Sequence, residues 1–381
     1  MKKNRFLLLI LAVGVFGIIN TEMGLIGILP LIATEFQVSL PIASSLISCF
    51  ALGVAVAGPT MPLLFSKLDR KTAMLLALGI FSISNLISSF TSNFSILLIA
   101  RIIPAFFQPV YVAMALTMAE HLVDKADAPK AIARVFIGVS AGMVLGVPVT
   151  NFVAHNYSFS YAMLGFFLVN ITIFILTIFF VPKMPVTQPL SYGEQLSVLK
   201  SPALLLSLLV VIALNAAVFG FYSYLSDFLA KIGGFTNNAI SLLLLLYGLA
   251  NIVGNLLAGN TLRTRPQKTI TTTLISLIIS YSILFLTGTL HFSAVLLVFL
   301  IGVLAGLIAN INQYLINSAA PKAPEFANGL FLTACNLGTT FGTAFCGLLL
   351  SHLTVRYTLV GAVLCLFLAG ICLFGQQRLK A

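Results

Sequence analysis

The sequence predicts an all-α polytopic membrane protein, with twelve transmembrane helices in two pseudo-symmetric six-helix bundles and both chain ends in the cytoplasm (N-in/C-in). Three observations predict it. Of 381 residues, 60% are hydrophobic and only 8% charged, against about 25% charged in an ordinary soluble domain. The apolar residues gather into twelve stretches, each near the ~20 residues a helix needs to cross a bilayer. The 20 Lys and Arg fall in short clusters between those stretches, which is how basic residues mark membrane topology. A water-soluble enzyme and a disordered scaffold are excluded. So is a nucleic-acid binder, despite the net charge of +11, because no solvated face gathers the basic residues.

The apolar stretches run over 6–28, 42–65, 72–91, 94–118, 132–154, 160–182, 202–226, 240–261, 269–290, 293–317, 327–351 and 355–375. The opening MKKNRFLLLILAVGVFG has the layout of a signal peptide. Its apolar run continues past Asn20 and Glu22 to Leu29 with no small-residue cleavage site, so it reads as helix 1. The break KMPVTQPLSYGEQLSVLK at 183–200 is too short for a domain. It divides the chain into a bundle at 1–182, a cytoplasmic linker and a bundle at 201–381. An internal echo supports two halves: Gly58 precedes Lys67 by nine residues, and Gly254, 196 positions later, precedes Arg263 by nine. Seventeen basic residues, Arg70 and Lys71 among them, fall on the side of the N-terminus, with only Lys231 and Arg356 opposite. That bias sets the orientation. The five cysteines sit in apolar runs at spacings that suit no metal knuckle. No metal or cofactor is expected.

Ionisable groups inside hydrocarbon are costly and usually have a function. Glu22 lies eight residues before Pro30, and Arg101 eight residues after Asn93. Each is therefore about 12 Å from the same membrane face, at 1.5 Å per residue. The pair suggests a proton-coupling site, since burial and a neighbouring cation together decide whether such a carboxylate carries a proton. A static ion pair locking helices 1 and 4 is the structural alternative. Asn20, Gln108, Tyr111, Asn215, Tyr222, Tyr224, Asn251, Asn310, Asn312, Gln313 and Asn336 are uncharged polar residues in apolar surroundings. Singly, each fits an interhelical hydrogen bond. Together they suggest a polar and aromatic cavity for a small solute. Gly138, Gly142 and Gly146, followed by Pro148, give helix 5 the small-residue stripe that lets helices approach closely. No P-loop, HExxH or nucleophile elbow is present in the sequence, so an enzyme is not expected.

These motifs resemble the major facilitator superfamily, specifically its twelve-helix drug:proton antiporters, which include arabinose-efflux-like, sugar-efflux and purine-nucleoside-efflux permeases. TEMGLIGILPLIA resembles that group's first helix, with Glu22 at the acidic position. IARIIPAFFQPVYVA resembles the segment with the buried arginine, here Arg101. GVSAGMVLGVPVT resembles the antiporter motif at Gly142, Gly146 and Pro148. Two departures stand out. SKLDRK has Ser66 where an acidic residue is usual, with Asp69 shifted and the basic pair Arg70 and Lys71 retained. Thr150 replaces a second glycine. The resemblance implies a monomeric, proton-coupled exporter of a small organic solute such as a drug, nucleoside or sugar, working by alternating access in a bacterial cell membrane. An uptake symporter or uniporter on the same fold is the first alternative. A lipid-modifying membrane enzyme is a remote one.

Overall fold

The structure is a computed structural model that describes residues 2–65, 68–124, 128–184, 201–319 and 324–380. Ser66, Lys67 and most of the expected linker (185–200) lie outside the described residues. Among the described residues, twelve helices are long and apolar enough to cross a membrane. They are helix 1 (Arg5–Glu35), helix 2 (Leu40–Met61), helix 3 (Arg70–Phe90), helix 4 (Phe94–Ala119), helix 5 (Ile137–Asn156) and helix 6 (Phe159–Phe180). The second set is helix 7 (Pro202–Lys231), helix 8 (Asn237–Thr264), helix 9 (Pro266–Thr287), helix 10 (His291–Ala319), helix 11 (Leu330–His352) and helix 12 (Val355–Gln376). The even count returns the chain to the face it started from, called here the termini face; the opposite one is the far face. Side-chain caps fix several starts. Asp69 accepts from the Thr72 amide, Asn93 from Ser95 and Ile96, Ser158 from Tyr161 and Thr236 from Ala239, each satisfying a donor the helix cannot.

Two expected ends are corrected. Helix 1 does not stop near Ile28. It passes through a 3-10 turn at Gly24–Ile28 and resumes at Leu29–Glu35. Pro30 sits at the start of that second segment, where its missing N–H costs nothing, so it opens a helix instead of closing one. Helix 7 likewise continues past Ser226: its first segment ends at Tyr222, and Leu225–Lys231 follows.

Helices 1–6 and 7–12, the first and second halves, repeat their pairings. Helix 1 lies on helix 5 and helix 7 on helix 11, helix 3 on helix 6 and helix 9 on helix 12. The closest approaches coincide in sequence as well. A Cβ at Gly142 would sit 2.9 Å from the Ile19 side chain, and one at Gly146 would sit 2.7 Å from Asn20 Oδ1. Exactly 196 residues later, Gly338 meets the Ile212 carbonyl and Asn215, and Gly342 meets the backbone of Ala216. The halves meet along helices 2 and 11 and along helices 5 and 8. Pro148 lies inside helix 5 and cannot bond the carbonyl four residues back, on Val144. Gly248 of helix 8 closes on that carbonyl, its Cβ position 3.0 Å from the oxygen.

Candidate functional site

Glu22 is the penultimate residue of helix 1's first segment. Helix 4 also breaks: Pro104 lies near the end of Phe94–Ala105, and Gln108 starts the next segment. Arg101 and Gln108 therefore approach helix 1 from two sides of a break. Gln108 Nε2 donates to Glu22 Oε2 at 2.6 Å. Arg101, 1% exposed, donates through Nη2 to the backbone carbonyl of Thr21, and its guanidinium carbon stands 5.3 Å from the Phe50 ring centroid. No ion pair joins Glu22 to Arg101 among the described residues. The two side chains come from different helices and meet at adjacent residues of helix 1, each held by a neutral partner: Gln108 for Glu22 and the Thr21 carbonyl for Arg101. Arg101 Nε and Nη1 and Gln108 Oε1 are buried without a protein partner.

Thr21 is a residue the sequence did not single out. Its hydroxyl donates to the Gly17 carbonyl at 2.8 Å and accepts from Asn85 (3.2 Å) and Asn170 (3.1 Å). Helices 3, 4 and 6 thus all bond the turn of helix 1 that carries Glu22. The available signal was Asn85 and Asn170, carboxamides inside the apolar stretches of helices 3 and 6.

Between the halves lies a cavity of about 50 Å³, room for a few waters. Among the expected residues, Asn215, Tyr222 and Asn251 line it, together with Phe219, Tyr247 and Ile308 of the second half. From the first half come Met23, adjacent to Glu22, and Val144. Tyr222 and Tyr247 stack with centroids 4.5 Å apart. Asn215 donates to the Cys335 carbonyl and Thr339 and accepts from Asn312. Asn251 accepts from Asn255, which accepts from Asn310.

The other expected residues lie elsewhere. Asn20 is against Gly146, and Tyr111 is buried beneath Gly14 inside the first half. Tyr224 bonds Ser44 across the halves. Gln313 is exposed, and Asn336 bonds the Leu332 carbonyl of its own helix. Arg70 donates to Met184 Sδ and Lys71 to the Ile178 carbonyl, while Asp69 also accepts from the Met184 amide. These loop charges tie helix 3 to the end of helix 6 within the first half. A further carboxylate lies beyond the expected end of helix 7 at 226, which falls five residues short of Lys231: Asp227, its side chain 2% exposed, pairs with Lys231 at 3.0 Å.

The family model described as Major Facilitator Superfamily matches residues 11–343. The chain belongs to the major facilitator superfamily. It is 29% identical to "Uncharacterized MFS-type transporter YtbD" of Bacillus subtilis, over 99% of this chain and 96% of that one. It is 28% identical to "Inner membrane transport protein YdhP" of Escherichia coli K12, over 92% and 90%. It is 24% identical to "Probable sugar efflux transporter" of Helicobacter pylori P12, over 89% and 86%. Among solved structures, a bacterial homologue of the human lysosomal transporter Spinster, inward-facing and unoccupied, superposes with a TM-score of 0.81 at 16% identity, covering 99% of this chain and 97% of that one. The chain is thus a multi-pass membrane transporter of this superfamily.

Proposed function

We propose that the protein exports a small organic solute in exchange for protons, by alternating access of the central cavity to the two faces. The observation that carries this is the placement of Glu22. It is an ionisable side chain at a helix break, held by Gln108 and beside Arg101, next to the Met23 that lines the cavity. A carboxylate so placed can lose its proton as solute enters and regain one when the cavity is empty. Arg101, fixed on the Thr21 carbonyl, keeps a positive charge close throughout. The termini face is cytoplasmic in this reading, on the strength of its basic residues, and the membrane is the bacterial inner membrane. The relatives' names support transport, and one of them supports efflux of sugars.

The test uses proteoliposomes with an imposed pH gradient and labelled arabinose, inosine or ethidium. Wild type moves at least one of these against its gradient, and Glu22→Gln retains only downhill exchange. Fully proton-driven transport by Glu22→Gln, or uptake in the direction of proton flow, contradicts the proposal.

A further inference from the structure

The seam that joins the halves towards the far face is made of hydrogen bonds with an unusual property: their donors have a second acceptor in their own half. Ser241 of helix 8 donates to Asn151 Oδ1 of helix 5 at 2.6 Å, with the Asn237 carbonyl of its own helix 3.0 Å away. Tyr224 reaches Ser44 at 2.7 Å in the other half and the Thr343 carbonyl at 3.0 Å in its own. Thr340 has the Ser48 carbonyl at 3.1 Å and the Asn336 carbonyl at 2.9 Å. One hydroxyl proton serves one acceptor at a time. When the halves part, each donor turns to its own side and no donor is left bare.

Asn151 differs from the rest because both arms of its carboxamide are committed. It is 1% exposed. Its Oδ1 accepts from Ser241, and its Nδ2 donates to the Gly27 carbonyl at 2.5 Å. Gly27 belongs to the 3-10 turn that follows Glu22, where carbonyls lose regular helical partners. That turn is pressed onto helix 5: a Cβ at Gly27 would lie 2.9 Å from Val147 and 3.3 Å from Asn151, and one at Gly24 would lie 2.7 Å from Thr150 Oγ1. Asn151 therefore touches the second half with one atom and the Glu22 segment with another.

We propose that Asn151 is a positioning residue that couples the far seam to Glu22. With the seam shut, Ser241 orients the carboxamide and Asn151 holds the turn after Glu22. With the seam open, Ser241 returns to Asn237, Asn151 loses its orienting partner, and the turn is released. This rests on the proposed role of Glu22. The elements against helix 1 carry Arg101 and Tyr111 in helix 4, Glu120 and His121 at its end, Lys130, Arg134 and His155 in the Ala128–Asn156 segment that contains helix 5, Arg70 and Lys71 in helix 3, Tyr161 in helix 6, Cys49 in helix 2, and Asp227 and Lys231 in the second segment of helix 7. Of these, Arg101 alone bonds the Thr21–Glu22 segment among the described residues.

Two readouts test it, in full-length protein in proteoliposomes. The first is labelling of Ala154→Cys, one turn beyond Asn151, by an impermeant maleimide applied from the far face, against the parent's own background. The second is the pH profile of exchange. Ser241→Ala is expected to raise labelling about fivefold, the worth of one hydrogen bond. It should also displace the pH profile, although Ser241 does not touch the Glu22 segment. Asn151→Leu should do both, and Ser241→Thr should restore parental behaviour. Unchanged labelling in Ser241→Ala overturns the proposal. So does raised labelling with an unmoved pH profile, because the seam would then be a latch without coupling. Fully proton-driven Glu22→Gln overturns the underlying role of Glu22 and this coupling with it. That outcome is distinct, since the labelling of Ser241→Ala is read without Glu22.

Discussion

The two halves seat their helices with matching glycines and then diverge at the height where the site lies. Gly142 and Gly146 hold helix 1 on helix 5, and Gly338 and Gly342, 196 residues on, hold helix 7 on helix 11. At the same offset from Glu22, Arg101 and Gln108 stand Val218, Leu297 and Leu304, all buried. The scaffold is shared, and at these matched positions the charge belongs to the first half. The second half instead supplies most of the cavity wall, as carboxamides and stacked tyrosines. The difference suggests a division of labour, with the proton handled by the first half and the solute held by the second. A charge that must change state gains from a rigid network around it, and Thr21, Asn85 and Asn170 provide one.

The sharpest way to break this comparison is Glu22→Gln. One proton contributes about 2.3 kcal/mol per 100 mV, so the steady-state solute gradient should fall roughly 50-fold at 100 mV, measured by flux in proteoliposomes. Next comes the shared scaffold. Gly142→Leu and Gly338→Leu should each destabilise by about 1–3 kcal/mol through overpacking, and similar losses in thermal unfolding would confirm equivalent seats. A loss confined to one half would show that the 196-residue match is formal only. Thr21→Val should cost about 1–3 kcal/mol by stranding the buried Asn85 amide, while Asn170 keeps the Phe166 carbonyl at 2.9 Å. It should also slow exchange more than Asn215→Ala does at saturating solute. The smallest expected effect is that of Asn251→Ala, a roughly fivefold rise in the solute KM from one lost hydrogen bond, with the proton dependence unmoved.

Much of the fold was legible because hydropathy is a sum over many residues. Twelve spans emerge even where single boundaries slip. The breaks in helices 1 and 7 were not legible, because a proline can end one segment or start another, and only the backbone around Pro30 and Tyr224 decides. Glu22 and Arg101 stood out through the scarcity of charge. Their neutral partners did not, since Gln108 and Thr21 are ordinary residues until geometry joins them to the charges. Asp227 was hidden by a helix end drawn at 226, five residues short of Lys231. Asn151 was hidden because its meaning lies in two contacts made from opposite sides.

The central claim is that proton dependence and solute affinity reside in different halves. The most direct measurement is the proton released per solute bound, followed with a pH dye in weakly buffered detergent, using whichever of arabinose, inosine and ethidium the wild type transports. Wild type should release protons on binding. Glu22→Gln should bind without release, and Asn251→Ala should release the same number per solute bound at weaker affinity. Release that persists in Glu22→Gln, or a changed proton count in Asn251→Ala, would contradict the division.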